Sequence, residues 1–253
     1  EKLDGTFPSR SPEPTEESLQ QLISVVKKTN ADFGVGYDAD GDRAVFVGDT
    51  GKVLTGDFAT IIFAQALIAK GKRKVVYDVS CSSAVEETIK AKGGVPIVER
   101  VGRPFMMARV LREKAVFGGE ESGHFYFPEI YSIDDGTFAS LKMAEILSQS
   151  DDSLSQIVDN IPKYYSSTVN VPCPDEIKFH VIEHLKTKFK ERGFRILDID
   201  GVKAQEEKGW VLLRASNTEP IIRIFAEGKT QNKLTQLLEL AKKMLKEEVE
   251  SVK

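Results

Sequence analysis

"KVVYDVSCSSAVEETIKAKGGVPIVER", residues 74–100, decides the class of fold. A β-branched run over 74–79 breaks at Ser80-Cys81-Ser82-Ser83, a helical pattern continues to Ala91, Gly93-Gly94 stops it, and a second apolar run follows at 95–100. Strand, helix and strand in this order predict a parallel sheet with helices on its faces. Ligands of such sheets collect at the carboxyl ends of the strands. The loops after Val79, Arg100 and Phe117 are therefore the places where chemistry is expected.

Upstream, prolines at positions 8, 12 and 14 exclude helix interior, and Leu19, Leu22, Ile23 and Val26 recur at helical spacing within 15–28. Strands are expected over "ADFGVGYDAD" and "RAVFVGDTG", then an apolar helix over 56–69. Downstream, "AVFGG" predicts a short strand, 136–149 a helix, and 150–155 a polar stretch. From about residue 165 the pattern changes to a strand at "SSTVNVP", a helix over 175–192, a strand at "FRILDIDG", a hairpin at "GWVLLRASNTEPIIRIFAEG" and a closing helix over 231–252. This last block mixes helices with an antiparallel sheet and forms its own domain.

The chain has 253 residues, 41% hydrophobic and 29% charged, which is globular composition with length for about two domains. A net charge of −4 gives no electrostatic footprint for nucleic acid. An anionic ligand must therefore meet local arginines. Two cysteines, Cys81 and Cys173, stand far apart outside any C-x-x-C pattern, which argues against a disulfide scaffold or thiolate zinc site and fits a reducing, cytoplasmic setting. The longest apolar run contains Gln65 and is too short to span a bilayer. The opening "EKLDGTFPSRSPEP" reads as the interior of a longer chain.

Three loops carry candidate chemistry. In "YDADGDR", residues 37–43, Asp38, Asp40 and Asp42 alternate, and alternate positions of an extended chain point the same way. Three carboxylates so close repel unless a cation neutralises them. An EF-hand counted from Asp38 needs Gly at its sixth and Glu at its twelfth position, which here hold Arg43 and Asp49. Three oxygen donors with room for a further one suit Mg²⁺, with Arg43 beside it for phosphate oxygens. An acidic turn that stays solvated is the plain alternative.

In "RASNTEPIIR", Arg214 and Arg223 flank Ser216, Asn217 and Thr218. Arginine binds phosphate bidentately, and a tight polar turn can form a backbone anion nest. An ordinary hairpin turn is the alternative. In "GGEESGH", glycines permit close approach, and extended alternation would set Glu120, Ser122 and His124 on one face toward sugar hydroxyls. A solvated turn is again the alternative. "HVIEH", residues 180–184, fits an inverted zinc-peptidase pattern, but Val181, Ile182, Leu185 and Phe189 make it an amphipathic helix, with His180 and His184 on its surface.

Taken together, Asp-Ala-Asp-Gly-Asp-Arg, Gly-Glu-Glu-Ser-Gly-His and Arg-Ala-Ser-Asn-Thr-Glu-Pro, in this order and spacing, resemble the metal, sugar and phosphate loops of the α-D-phosphohexomutases, the phosphomannomutase/phosphoglucomutase family. "DGTFPSRSPEP" resembles that family's second domain. The resemblance implies mixed-sheet α/β domains followed by an α+β domain with a TBP-like antiparallel sheet. Residues 1–50 would be the C-terminal part of domain II, 51–160 domain III and 161–253 domain IV, in enzymes whose four domains surround one cleft. It implies a mutase that interconverts hexose 1- and 6-phosphates through a hexose 1,6-bisphosphate, with a phosphoserine on the first domain as donor. Asp38, Asp40 and Asp42 would hold Mg²⁺, Arg43 would stabilise the transferring phosphoryl group, and His124 would assist proton transfer. Arg103, Glu120 and Ser122 would contact substrate, while Arg214, Ser216, Asn217, Thr218 and Arg223 would hold the phosphate that does not react. Positioning and charge neutralisation of this kind carry most of phosphoryl-transfer catalysis.

The chain departs from the family pattern in three places. Ser80 stands where many relatives have Lys, and Arg103 where many have His, so substrate preference is less defined than reaction class. No serine loop of the Thr-Ala-Ser-His-Asn-Pro type occurs in these 253 residues. The expectation is that this piece needs an N-terminal phosphoserine domain for turnover. A phosphoglucosamine mutase and a non-catalytic phosphosugar-binding module are the competing readings.

Overall fold

The computed structural model describes residues 4–69, 73–216 and 218–251, in two compact units divided at Pro162–Lys163.

In the first unit, α1 (Gln20–Thr29) buries Ile23 and Val26 and carries Lys27 and Lys28 in its last turn, where cations suit the negative helix end. The helical pattern read from residue 15 takes a turn conformation over 16–19, held by Ser18 and Thr15 hydrogen bonds, and becomes helix only at Gln20. β1 (Phe33–Tyr37) and β2 (Ala44–Gly48) form an antiparallel pair whose Tyr37–Ala44 partners bracket the aspartate loop. α2 (Gly56–Ile68) is buried on nearly every side, from Ala59 to Ala64 and at Ile68, as an apolar sequence without a polar stripe demands. β3 (Lys74–Asp78), α3 (Ser83–Ala91) and β4 (Val95–Glu99) give the expected strand–helix–strand unit. The Ser82 hydroxyl caps α3 by accepting from the Ala84 N–H at 3.2 Å.

α4 (Arg103–Glu113) lies outside the helices that the periodicity predicts. Its signals are weak: Pro104 in the first turn and Met106 and Val110 four apart as its buried positions. β5 (Phe117–Gly119) and β6 (Phe125–Tyr126) follow. The sheet order is β4-β3-β5-β6, parallel across β4, β3 and β5 and antiparallel at β6, so the sheet is mixed. α5 (Gly136–Ser148) starts under an Asp135 cap, and α6 (Leu154–Asp159) lies within and beyond the stretch read as polar, set off by a Ser153–Gln156 capping box.

An aromatic core joins these parts. Phe63 of α2 packs within 5.1–5.4 Å, ring to ring, of Phe117, Phe125 and Phe127, and 6.0 Å from Phe46 of β2. Full burial of each such side chain contributes roughly 1.5–3 kcal/mol. The hairpin that carries the aspartate loop is thereby anchored to the sheet that carries the GGEESGH loop.

The second unit contains β7 (Tyr165–Pro172), α7 (Lys178–Glu191), β8 (Arg195–Leu197), β9 (Val202–Glu206), β10 (Gly209–Ala215), β11 (Ile221–Gly228) and α8 (Gln231–Ser251). Its sheet is antiparallel throughout, in the order β7-β11-β10-β9-β8. Val181, Leu185 and Phe189 of α7 and Leu234, Ala241 and Leu245 of α8 share one core with Val211, Leu213, Ile222 and Ile224. β9 lies outside the strands read from the sequence, because its alternation rests on only two apolar residues, Val202 and Ala204. No helix among the described residues is long and apolar enough to cross a membrane.

Candidate active site

The three aspartates do converge, though not by strand alternation. The chain leaves β1 at Tyr37 and turns through Gly41, whose φ is +78°. The Asp38 Oδ1 accepts from the backbone N–H of Gly41 and of Arg43, each at 3.1 Å. This side-chain turn folds Asp38, Asp40 and Asp42 until each offers a carboxylate oxygen within 4.8 Å of the others. Two arginines stand beside them. The Arg43 Nε donates to Asp38 Oδ2 at 2.6 Å, while its fork donates to both Glu13 oxygens at 2.7 and 2.9 Å. The Arg103 Nη2 donates to Asp42 Oδ2, and its Nε donates to buried Asp134 at 2.9 Å.

The electrostatics fit a cation site. Burial and the adjoining Asp38 charge push Asp42 up to about 6. Burial works against the Asp38 charge too, but the Arg43 side-chain and backbone hydrogen bonds outweigh it and hold that carboxyl below its ordinary range. Three hard oxygen donors whose mutual repulsion is only partly cancelled suit a hard divalent ion such as Mg²⁺.

The GGEESGH loop is a tight turn between β5 and β6, not the extended segment that alternation assumed. The Gly123 N–H donates to the Glu120 carbonyl at 3.0 Å, and Gly123 has φ +93°. Glu120 is consequently buried at 2% exposure, its carboxylate accepting from the Tyr126 hydroxyl and, at 3.1 Å, from the Gly102 N–H. Burial, reinforced by the Asp78 charge, pushes it up to about 7. Ser122 is exposed, and its hydroxyl lies 2.8 Å from His124 Nδ1. His124 Nε2 stands 3.5 Å from Asp42 Oδ1, and burial lowers the imidazole below its ordinary value. The backbone joins the two loops: Arg43 and His124 are bridge partners, and the Ala44 N–H donates to the Gly123 carbonyl at 3.1 Å.

The strand ends meet as expected of a parallel sheet. Asp78, 1% exposed, accepts from the Ser80 N–H at 2.6 Å, the Ser80 hydroxyl and the Glu121 N–H at 2.7 Å. Ser80 therefore turns back into the protein. Glu13, Asp78, Tyr126 and Asp134 escaped the sequence reading, because their partners lie from 6 to 43 positions away along the chain.

In the second unit Arg214 and Arg223 are cross-strand partners on β10 and β11. Arg214 Nε lies 2.8 Å from Asp200 Oδ2, and Arg223 Nη2 donates to Glu219 Oε2 at 2.9 Å. The Ser216 Oγ accepts from the backbone N–H of Thr218 at 3.4 Å and of Glu219 at 3.2 Å. Asn217 lies outside the described residues. His180 and His184 are exposed, and His184 Nδ1 pairs with Glu248 at 2.7 Å, as an amphipathic surface helix requires.

Comparison with known proteins accords with this anatomy. Family models described as phosphoglucomutase/phosphomannomutase alpha/beta/alpha domain II, alpha/beta/alpha domain III and C-terminal domain match residues 1–51, 55–165 and 169–243. The chain belongs to the phosphoglucomutase/phosphomannomutase family, the α-D-phosphohexomutases. It is 36% identical over 245 residues to a phosphoglucomutase/phosphomannomutase of Thermococcus kodakarensis, covering 96% of this chain and 54% of that one. It is 35% identical over 235 residues to a probable phosphoglucosamine mutase of Methanopyrus kandleri, covering 92% and 52%. A crystal structure of a phosphoglucomutase/phosphomannomutase family protein from Burkholderia thailandensis superposes with a TM-score of 0.88 at 28% identity, covering 98% of this chain and 54% of that one. The chain thus spans about half the length of the curated relatives it matches.

Proposed function

We propose that this chain supplies the metal, sugar and phosphate loops of a Mg²⁺-dependent mutase that moves a phosphoryl group between the 1- and 6-positions of a hexose, with mannose and glucose phosphates as substrates. In this reading residues 1–50, 51–160 and 161–253 serve as the end of domain II, domain III and domain IV. The observation that carries it is the backbone pairing of Arg43 with His124, which stitches the aspartate trio to the GGEESGH turn.

Asp38, Asp40 and Asp42 would hold the Mg²⁺, whose charge would offset that of a phosphoryl group in transfer. Arg43, paired with both Asp38 and Glu13, offers a positive charge held beside the trio. His124 stays neutral near pH 7 because burial disfavours its cation, and its Nδ1 is tied to Ser122. That leaves Nε2 as the atom that takes or gives a proton. Ser122 faces sugar hydroxyls, Glu120 shapes the turn from beneath, and Arg103 adds a donor beside Asp42. Arg214, Ser216, Asn217, Thr218 and Arg223 hold the phosphate that stays attached. The phosphoryl donor is a phosphoserine domain, and these 253 residues contain no matching serine loop.

The test is calorimetry of the 253-residue chain with Mg²⁺ and with mannose, glucose and glucosamine 6-phosphates, followed by a mutase assay after adding a phosphoserine domain from a relative. Binding of both ligands, with turnover only after the addition, is expected. Absence of hexose phosphate binding would refute the assignment. Preference for glucosamine 6-phosphate would move the substrate to the class named in the Methanopyrus kandleri relative.

A further inference from the structure

The phosphate loop has a cation that neither its motif nor the roles above account for. Lys178 is 3% exposed. A buried lysine is uncommon unless its charge is matched by acceptors. Its position adds a second cost. Lys178 opens α7, where the helix dipole is positive and a cation is disfavoured. Something must offset both terms.

Its contacts show what does. The Lys178 Nζ donates to the Ser216 carbonyl, to the Glu219 carbonyl at 3.2 Å and to Asp175 Oδ1 at 2.6 Å. An ammonium has three donors, so all are used. Two of the three acceptors are backbone oxygens near the two ends of the turn between β10 and β11. Those carbonyls therefore face the lysine, and their partial negative charge is turned away from any anion that the turn receives. The Ser216 hydroxyl organises the same turn from within by accepting from Thr218 and Glu219.

Strand alternation separates the lysine from the arginines. Val211, Leu213, Ile222 and Ile224 pack against α7 and α8, so Arg214 and Arg223, at the intervening positions, belong to the opposite sheet face. Lys178 reaches the turn from the end of the helix-covered face. The arginines act on the front of the loop and the lysine fixes it from behind.

We propose that Lys178 is the positioning residue of the phosphate loop: it holds the Ser216 and Glu219 carbonyls so that the turn is preorganised for a phosphate group. The inference rests on reading residues 214–223 as a phosphate site. In the full chain, Lys178→Met should weaken mannose 6-phosphate and inorganic phosphate binding by about tenfold or more, and Lys178→Arg should restore affinity to within about threefold. Amide hydrogen exchange at Thr218 and Glu219 should accelerate in Lys178→Met while Val211 to Leu213 keep their protection, a pattern that general destabilisation does not give. If Lys178→Met does not fold, Lys178→Gln replaces it. Its donor sits one bond short of both carbonyls, and it should bind about fivefold more weakly or worse. Wild-type affinity in a folded Lys178→Met or Lys178→Gln chain overturns the inference and leaves the phosphate-site reading intact. Failure of the wild-type chain to bind, or binding that Arg223→Ala does not weaken, overturns that reading and this inference with it.

Discussion

Arg214 and Arg223 stand directly opposite one another across the β10–β11 pair, arginine facing arginine. Like charges at facing positions destabilise an antiparallel ladder. Among the described residues each guanidinium pairs with one acid, Asp200 or Glu219, and the Glu219 side chain is half-exposed. Such a pair is maintained at a cost that a bound dianion would reverse.

Phosphate should therefore raise the melting temperature of the chain more than chloride at equal ionic strength. Arg223→Ala should weaken hexose 6-phosphate binding by about ten- to a hundredfold, the span expected for hydrogen bonds to a charged group. Because the substitution also relieves the facing charges, stability without ligand should change by less than about 0.5 kcal/mol. Calorimetric titration and urea denaturation read the two effects separately.

The aspartates should divide by their partners. Asp40 is exposed, so Asp40→Asn should lower Mg²⁺ affinity by about tenfold or more and leave folding unchanged. Asp38 accepts from Gly41, from the Arg43 backbone and from Arg43 Nε, so Asp38→Asn should also cost about 1–3 kcal/mol of stability. Mg²⁺ titration followed by heat and by thermal shift distinguishes the two variants. Equal stability loss in both would contradict this division.

Glu120 gives a pH dependence of defined sign. Burial and Asp78 raise it to about 7 in the folded chain, against an ordinary 4.5. Between those values the folded state binds more protons than the unfolded state, so stability falls as pH rises from about 4.5 to 7. Asp57, raised to about 8 by burial and the neighbouring Glu121 charge, acts in the same direction and extends the decline. Denaturant midpoints across pH 5 to 8, with EDTA present, should show this loss, and Glu120→Gln should make it shallower below pH 7, with the Asp57 contribution remaining. An unaltered slope in that variant would remove Glu120 from the explanation.

Asp78 ties the loop after β3 to the GGEESGH turn through Ser80 and Glu121. Asp78→Ala leaves several buried donors without acceptors and should cost about 3 kcal/mol or more. Hexose affinity should fall along with stability, because the turn loses its support. Phosphate binding to the second unit should persist, since β10 and β11 belong to a separate core.

The sequence alone pointed to most of the local elements and marked three loops as candidate sites. Periodicity over 56–69, 83–91 and 231–252 and turn residues at Gly93 and Gly94 act over a few positions, so they can be read without knowing the fold. The helix at Arg103–Glu113 and the strand at Val202–Glu206 lie outside the predicted elements because each has only two buried or alternating apolar positions to carry a period, Met106 and Val110 in one and Val202 and Ala204 in the other.

Tertiary structure decided how the motifs are built. The aspartates meet through a side-chain turn at Asp38, and Glu120 lies beneath its loop because Gly123 closes a tight turn. Arg43 is fixed by Glu13 at 30 positions' distance, Arg103 joins Asp42 to Asp134 across 61 and 31, and Lys178 supports a turn 38 positions on. Such partners are chosen by which strand ends the sheet brings together, and no short-range pattern records that choice. The sequence named the groups that could handle a metal, a sugar and a phosphate. Folding determined which of them are held rigid, which are buried, and which remain open to a ligand.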